Sequence, residues 1–154
     1  MATRSLLRFN NGVMIYRHWD GYPSGVLCDL KELLNRGVRT YDTEYFIGGL
    51  LQQRGYLDQM QKNENLANRD LHSEDYVKKL PNEMKNAVLG YGVFYATEDE
   101  LKDLDYGQEY SYILTDKEIK IMKWDFSRCV RKISYEVLKE LSNEEIRELV
   151  KRYE

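Results

Sequence analysis

Residues 5–9 (SLLRF) and 13–19 (VMIYRHW) are two short apolar-rich runs separated by Asn-Asn-Gly. Asn-Gly between apolar runs is the strongest short-range hairpin signal, because both residues accept the positive φ that a tight turn needs. The spacing predicts a β-hairpin over residues 3–19. In its second strand Val13, Ile15, Arg17 and Trp19 share one face, and Met14, Tyr16, His18 and Asp20 share the other. Asp20-Gly21 then suits a positive φ, and Pro23 removes a backbone donor, so the strand must end there. From Ser24 the apolar period lengthens: Val26, Leu27, Leu30, Leu33 and Leu34 fall at helical spacing. A first helix is expected with Ser24 as N-cap and Gly37 as its stop.

A second helix is expected over residues 41–61, with Asp42 or Thr43 near its cap. Its Gly48-Gly49 pair costs about 1 kcal/mol per glycine and suits close packing against a neighbour. Residues 62–79 are polar and read as a loop or frayed helix. A strand centred on residues 93–96 follows, and Thr97 with Glu100 matches a capping box opening a short helix. Tyr110, Tyr112 and Leu114 alternate with Ser111, Ile113 and Thr115, and Ile119 and Ile121 alternate with lysines, which predicts a second hairpin. Residues 134–154 read as two helical segments, broken near Leu141 and restarted by a capping box of Ser142 and Glu145. The order predicts a single α+β domain over residues 1–154, a mainly antiparallel sheet of about five strands packed against helices.

Composition narrows the function more than the fold. The formal charge of -3 argues against a wholly basic surface and against extended nucleic acid as a partner, while leaving room for a local basic patch. Thirteen tyrosines suit half-buried sheet faces and binding pockets alike. Cys28 and Cys129 sit in apolar stretches without a CxxC partner and are expected as reduced, buried thiols. No apolar run approaches the length of a membrane helix and the N-terminus has no apolar leader, so a cytoplasmic protein with no membrane contact is expected. His18 and His72 are too few for a zinc set, and a magnesium site would need Asp20 with a second carboxylate. No phosphate-binding glycine loop is present, the GYG at 90–92 being too short. Neither a metal nor a cofactor is expected.

The candidate chemistry is concentrated in residues 16–25, YRHWDGYPSG. A strand ends and a helix starts within this stretch, and helix N-termini attract anions through unpaired N–H groups and the dipole. Arg17 offers a planar fork for phosphate or carboxylate, and Tyr16, Trp19 and Tyr22 offer stacking faces. Asp20 is expected to hold the turn by accepting backbone N–H bonds, with Gly21 supplying the unusual φ. His18 and Asp20 are the candidate catalytic acid–base pair. A nucleophilic Cys28 is disfavoured, since it lies on the apolar side of the first helix. The competing reading of the whole stretch is a rigid corner whose aromatics plug the gap between sheet and helix.

Thr3 and Arg4, then Tyr16, Arg17, Asp20, Gly21, Tyr22, Pro23 and Gly25, then Tyr110 and Tyr112 form a pattern. It resembles a family of small phage and mobile-element proteins with an N-terminal Thr-Arg, a Tyr-Arg-x-x-Asp-Gly-Tyr-Pro-x-Gly motif and a downstream YxYxI strand. The likeness covers the first 35 residues well and residues 41–90 not at all. It implies a phage setting, hence a host-cell cytoplasm, and action against host defence. Combined with the chemistry of the turn, the expectation is a small binding protein that captures a nucleotide or other small anionic ligand. Its expected ligand-binding residues are Arg4, Tyr16, Arg17, Trp19, Asp20 and Tyr22. Two alternatives stand beside it. One is a hydrolase or transferase acting on a phosphate or glycosidic bond, with His18 and Asp20 as acid and base. The other is a direct inhibitor of a host enzyme, working through the glutamate-rich C-terminal helix. A homodimer is the expected assembly, built on Gly48-Gly49 or the tyrosine-rich strands.

Overall fold

The computed structural model describes residues 3–53 and 91–154. It begins with strands β1 (Ser5–Phe9) and β2 (Val13–Arg17), joined by the expected turn, in which Gly12 takes a φ of 84°. Helices α1 (Pro23–Asn35) and α2 (Thr43–Gln53) follow, then β3 (Tyr91–Tyr95) and a short 3-10 turn at Leu101–Asp103. Strands β4 (Tyr110–Leu114), β5 (Glu118–Met122) and β6 (Cys129–Ser134) lead into helices α3 (Tyr135–Glu140) and α4 (Asn143–Val150). The break at Leu141 and the capping box of Ser142 with Glu145 are as the sequence predicts. The later part of the expected second helix and the polar 62–79 stretch lie outside the described residues.

The class is α+β, but the sheet has six strands, not five, in the order β3-β2-β1-β4-β5-β6. It is mixed: β1 and β4 pair in parallel at its centre, with Leu7 opposite Tyr112, and every other pair is antiparallel. The strand that the alternation did not reveal is β6. Of its six side chains only Ile133 is fully buried, and Arg131 shares its face, so the period-2 signal is faint.

One face of the sheet carries the larger core. Leu7, Phe9, Ile15, Tyr112, Leu114 and Ile121 pack there against Leu27 and Leu30 of α1, Phe46 of α2, Leu138 of α3 and Ile146 of α4. The amphipathic spacing read in α1 is the face that is buried. Gly49 answers the expected close packing, since a Cβ there would stand 3.2 Å from Val38 and 3.3 Å from Leu33, whereas Gly48 faces open space. Among the described residues the opposite face is covered over β1, β2 and β3 and at Ser111 of β4. There Leu6, Met14, Tyr16 and Phe94 pack with Ala96 and Leu101 beneath the segment that joins β3 to β4. Both cysteines are free and partly exposed, short of the full burial expected.

Candidate functional site

The motif residues converge on one corner, where β2 ends and α1 begins. Arg17 is the last residue of β2 and keeps the face shared by Val13 and Ile15, so it points under α1 and is 4% exposed. Its Nη2 donates to Asp29 Oδ2 of α1 at 2.8 Å, and its Nε donates to the Trp19 carbonyl at 2.8 Å. The expected ligand fork is thus engaged inside the protein, tying strand to helix and fixing the backbone at Trp19. A desolvated guanidinium of this kind requires its carboxylate.

Both motif glycines are imposed by close approach. The Gly21 N–H donates to the Thr3 carbonyl at 2.9 Å, and the Tyr112 hydroxyl donates to the Gly21 carbonyl at 2.6 Å. A Cβ on Gly21 would lie 2.7 Å from both Ser5 Cβ and the Thr3 oxygen; on Gly25 it would lie 2.5 Å from the Asp20 oxygen. The positive φ falls on Asp20, at 53°, and not on Gly21 as expected. Aspartate tolerates this region better than most residues. The Tyr22 hydroxyl approaches Asp20 Oδ1 at 3.4 Å. Thr3, Tyr112 and the two glycines therefore build the corner.

The start of α1 corrects a second expectation. Tyr22 is the N-cap and Pro23 occupies the first turn, so Ser24 lies inside the helix. The Ser24 N–H donates to the side-chain carboxylate of Glu154 at 2.6 Å, and the Tyr110 hydroxyl donates to the Glu154 carbonyl at 3.2 Å. The positive end of α1 is satisfied by a carboxylate of the same chain.

His18 follows the end of β2 and is buried. Its Nδ1 lies 2.7 Å from the Tyr16 hydroxyl, and its ring meets Trp19 edge-on with centroids 4.8 Å apart. With the hydroxyl donating, the imidazole carries its proton on Nε2. Burial, and secondly the nearby Arg4 charge, hold the His18 pKa down at about 4. Both causes penalise the imidazolium. Such a ring is neutral near pH 7, which suits a hydrogen-bonding wall better than a proton donor.

Arg4 and Trp19 form the outward part of the corner. The Arg4 carbonyl accepts the Glu109 N–H at 2.9 Å, so its backbone joins β1 to β4. Its side chain runs beside Gly107, where a Cβ would stand 3.6 Å from Nη1. Among the described residues Arg4 makes no ion pair. Trp19 leaves 39% of its surface exposed. The Arg4 charge thus acts on His18, His18 packs edge-on against Trp19, Tyr16 backs the imidazole, and Asp20 with Tyr22 stands at the head of α1. Asp29, Glu154 and Gly107 complete the arrangement. Asp29 and Glu154 carry no local sequence signal, because their partners are distant in the chain.

Two open grooves lie elsewhere. One of about 620 Å³ runs past Leu33, Val38, Tyr45 and Gly49, and one of about 570 Å³ past Thr40, Asp116 and Tyr135. Among the described residues no three metal-ligating side chains gather, and no helix is long and apolar enough to cross a membrane. No protein-family model matches the chain, and neither curated proteins nor solved structures give a match.

Proposed function

We propose that the chain is a phage-like binding protein that captures a small anionic ligand, nucleotide-like in its combination of charge and ring, and so counters host defence. The observation that carries this reading is the Arg4 guanidinium. It stands without an ion pair among the described residues and acts on the neutral His18, whose ring packs edge-on against the half-exposed Trp19 indole. A cation beside a stacking face is the minimum that recognises a phosphate attached to a base. Arg17 acts behind these groups by holding the Trp19 carbonyl, and Asp20 and Tyr22 shape the turn. A binding role is favoured over hydrolysis or transfer because His18 is held neutral and has Tyr16 on Nδ1.

The test is a thermal-shift screen with mono-, di- and cyclic nucleotides, followed by analysis of the recovered ligand. A stabilising nucleotide recovered intact is expected, with Arg4→Gln lowering its affinity about tenfold, as loss of a charge-assisted bond does. Consumption of the nucleotide would favour the transferase or hydrolase reading, and no shift with any compound would refute ligand capture. We also infer a two-fold homodimer through β3, an uncharged strand whose Val93 and Tyr95 are 48% and 62% exposed. Light scattering that finds a monomer at roughly tens of micromolar refutes that assembly.

A further inference from the structure

Among the described residues, the face of the sheet opposite the helices is covered over β1, β2 and β3 and at Ser111 of β4, but not at Ile113 of β4 or over β5 and β6. On this face Arg8, Ile113, Lys120 and Lys132 are direct neighbours on successive strands, so they form one row across the sheet. At the usual strand spacing the row is about 14 Å long. Ile113, Lys120 and Met122 are partly exposed and Lys132 is exposed. None of the three cations makes an ion pair among the described residues, and Arg8 Nε is buried with no acceptor. Glu118 is the one carboxylate among the strand residues that share this face. The carboxylates of Glu98, Asp99 and Asp103 stay exposed and form no ion pair with the row. Lys120 opposite Lys132 places like charges side by side, an arrangement that weakens a sheet unless something anionic lies over it.

A second observation marks the margin of the same face. The Trp124 carbonyl accepts from Ser111 Oγ at 2.6 Å and from Gln108 Nε2 at 3.1 Å, both donors being buried. These bonds hold the residue in place while leaving 47% of Trp124 exposed.

We propose that this uncovered part of the sheet binds a short single strand of nucleic acid, its phosphates on Lys120 and Lys132, with the Arg8 guanidinium at its covered margin, and a base on Trp124. Cations spaced along a flat, partly apolar sheet with an anchored aromatic at its edge are the elements of single-strand recognition. An acidic peptide would satisfy the charges but has no use for the indole or for the partly exposed apolar Ile113 and Met122. The site does not depend on the reading given above.

The test is fluorescence anisotropy of a labelled ten-nucleotide oligo-dT or oligo-U with the full chain at about 50 mM salt, repeated at about 200 mM. Binding that weakens with salt is expected. Lys120→Glu/Lys132→Glu and Trp124→Ala should each weaken it about tenfold or more. Lys132→Glu alone should weaken binding yet leave the melting temperature equal or higher, because it relieves the repulsion with Lys120. That outcome separates lost contact from lost fold. Absence of wild-type binding overturns the proposal, as does undiminished binding by the double variant. Competition by a polyglutamate peptide as effective as unlabelled oligonucleotide would assign the face to an acidic protein and overturn it too.

Discussion

Protonation of His18 should destabilise the fold, and its burial sets the size of the effect. His18 is 8% exposed, and its pKa falls from 6.5 to about 4 through burial first and Arg4 second. Between these values the unfolded chain takes up a proton that the folded chain refuses. The stabilising contribution is therefore complete above pH 6.5 and is lost progressively as the pH falls towards 4. With 1.36 kcal/mol per pH interval of one, the window is worth about 3 kcal/mol at most. Water beside the half-exposed Trp19 screens part of this, so about 1–2 kcal/mol is the expected loss. The assay is urea unfolding between about pH 4 and 7.5, comparing the wild type with His18→Gln, which retains an acceptor for the Tyr16 hydroxyl. Subtracting the two curves removes the carboxylates and His72. An NMR titration of the ring should place its pKa well below 6.5, and Arg4→Gln should raise it only slightly, since burial is the larger cause. A His18 pKa at or above 6.5, or parallel pH profiles for the two proteins, refutes the reasoning.

Arg17→Ala should cost about 2–4 kcal/mol in denaturant unfolding, because it removes the buried charge pair with Asp29 and frees the Trp19 carbonyl; a loss below about 1 kcal/mol would return Arg17 to the ligand. Gly25→Ala should destabilise by about 1–3 kcal/mol, since its methyl would meet the Asp20 carbonyl at 2.5 Å; an unchanged melting curve would mean that the corner yields freely.

The early hairpin, α1 and the two C-terminal helices are legible in the sequence because each carries a local signal: Asn11-Gly12, the spacing from Val26 to Leu34, and the Ser142 capping box. The Ser24 cap is misread because Pro23, one residue earlier, already fits the first helical turn. Thr97 and Glu100 illustrate a limit of the same kind. The Glu100 carboxylate does accept from the Thr97 N–H, at 3.0 Å, but the Thr97 hydroxyl donates to that carboxylate as well, and only a 3-10 turn follows. Within the site, alternation places Arg17 on the face of Val13 and Ile15, which is the face that the helices cover. Alternation does not say which group the Arg17 fork engages, and in the structure that group is the carboxylate of Asp29. Asp29 was invisible, since nothing in the LCDLKELL stretch marks one aspartate as the partner of a strand residue. The basic row was hidden for a related reason: Arg8, Lys120 and Lys132 become neighbours only through pairings between strands distant in sequence.

The parallel seam between β1 and β4 constrains the order in which the molecule can assemble. From β4 through α4, the strands, turns and helices pair with near neighbours in the chain, so this part closes only short loops. The first hairpin also forms locally, but Leu7 meets Tyr112 only after everything between them has been synthesised. Loop-closure entropy makes such a late, distant pairing the slow step. During translation the N-terminal hairpin therefore waits with Leu6 and Leu7, both buried in the final fold, exposed along an unpaired edge. Substitutions in β1 that leave final stability intact should still reduce soluble yield in the cell, because they act while that edge is open to other chains.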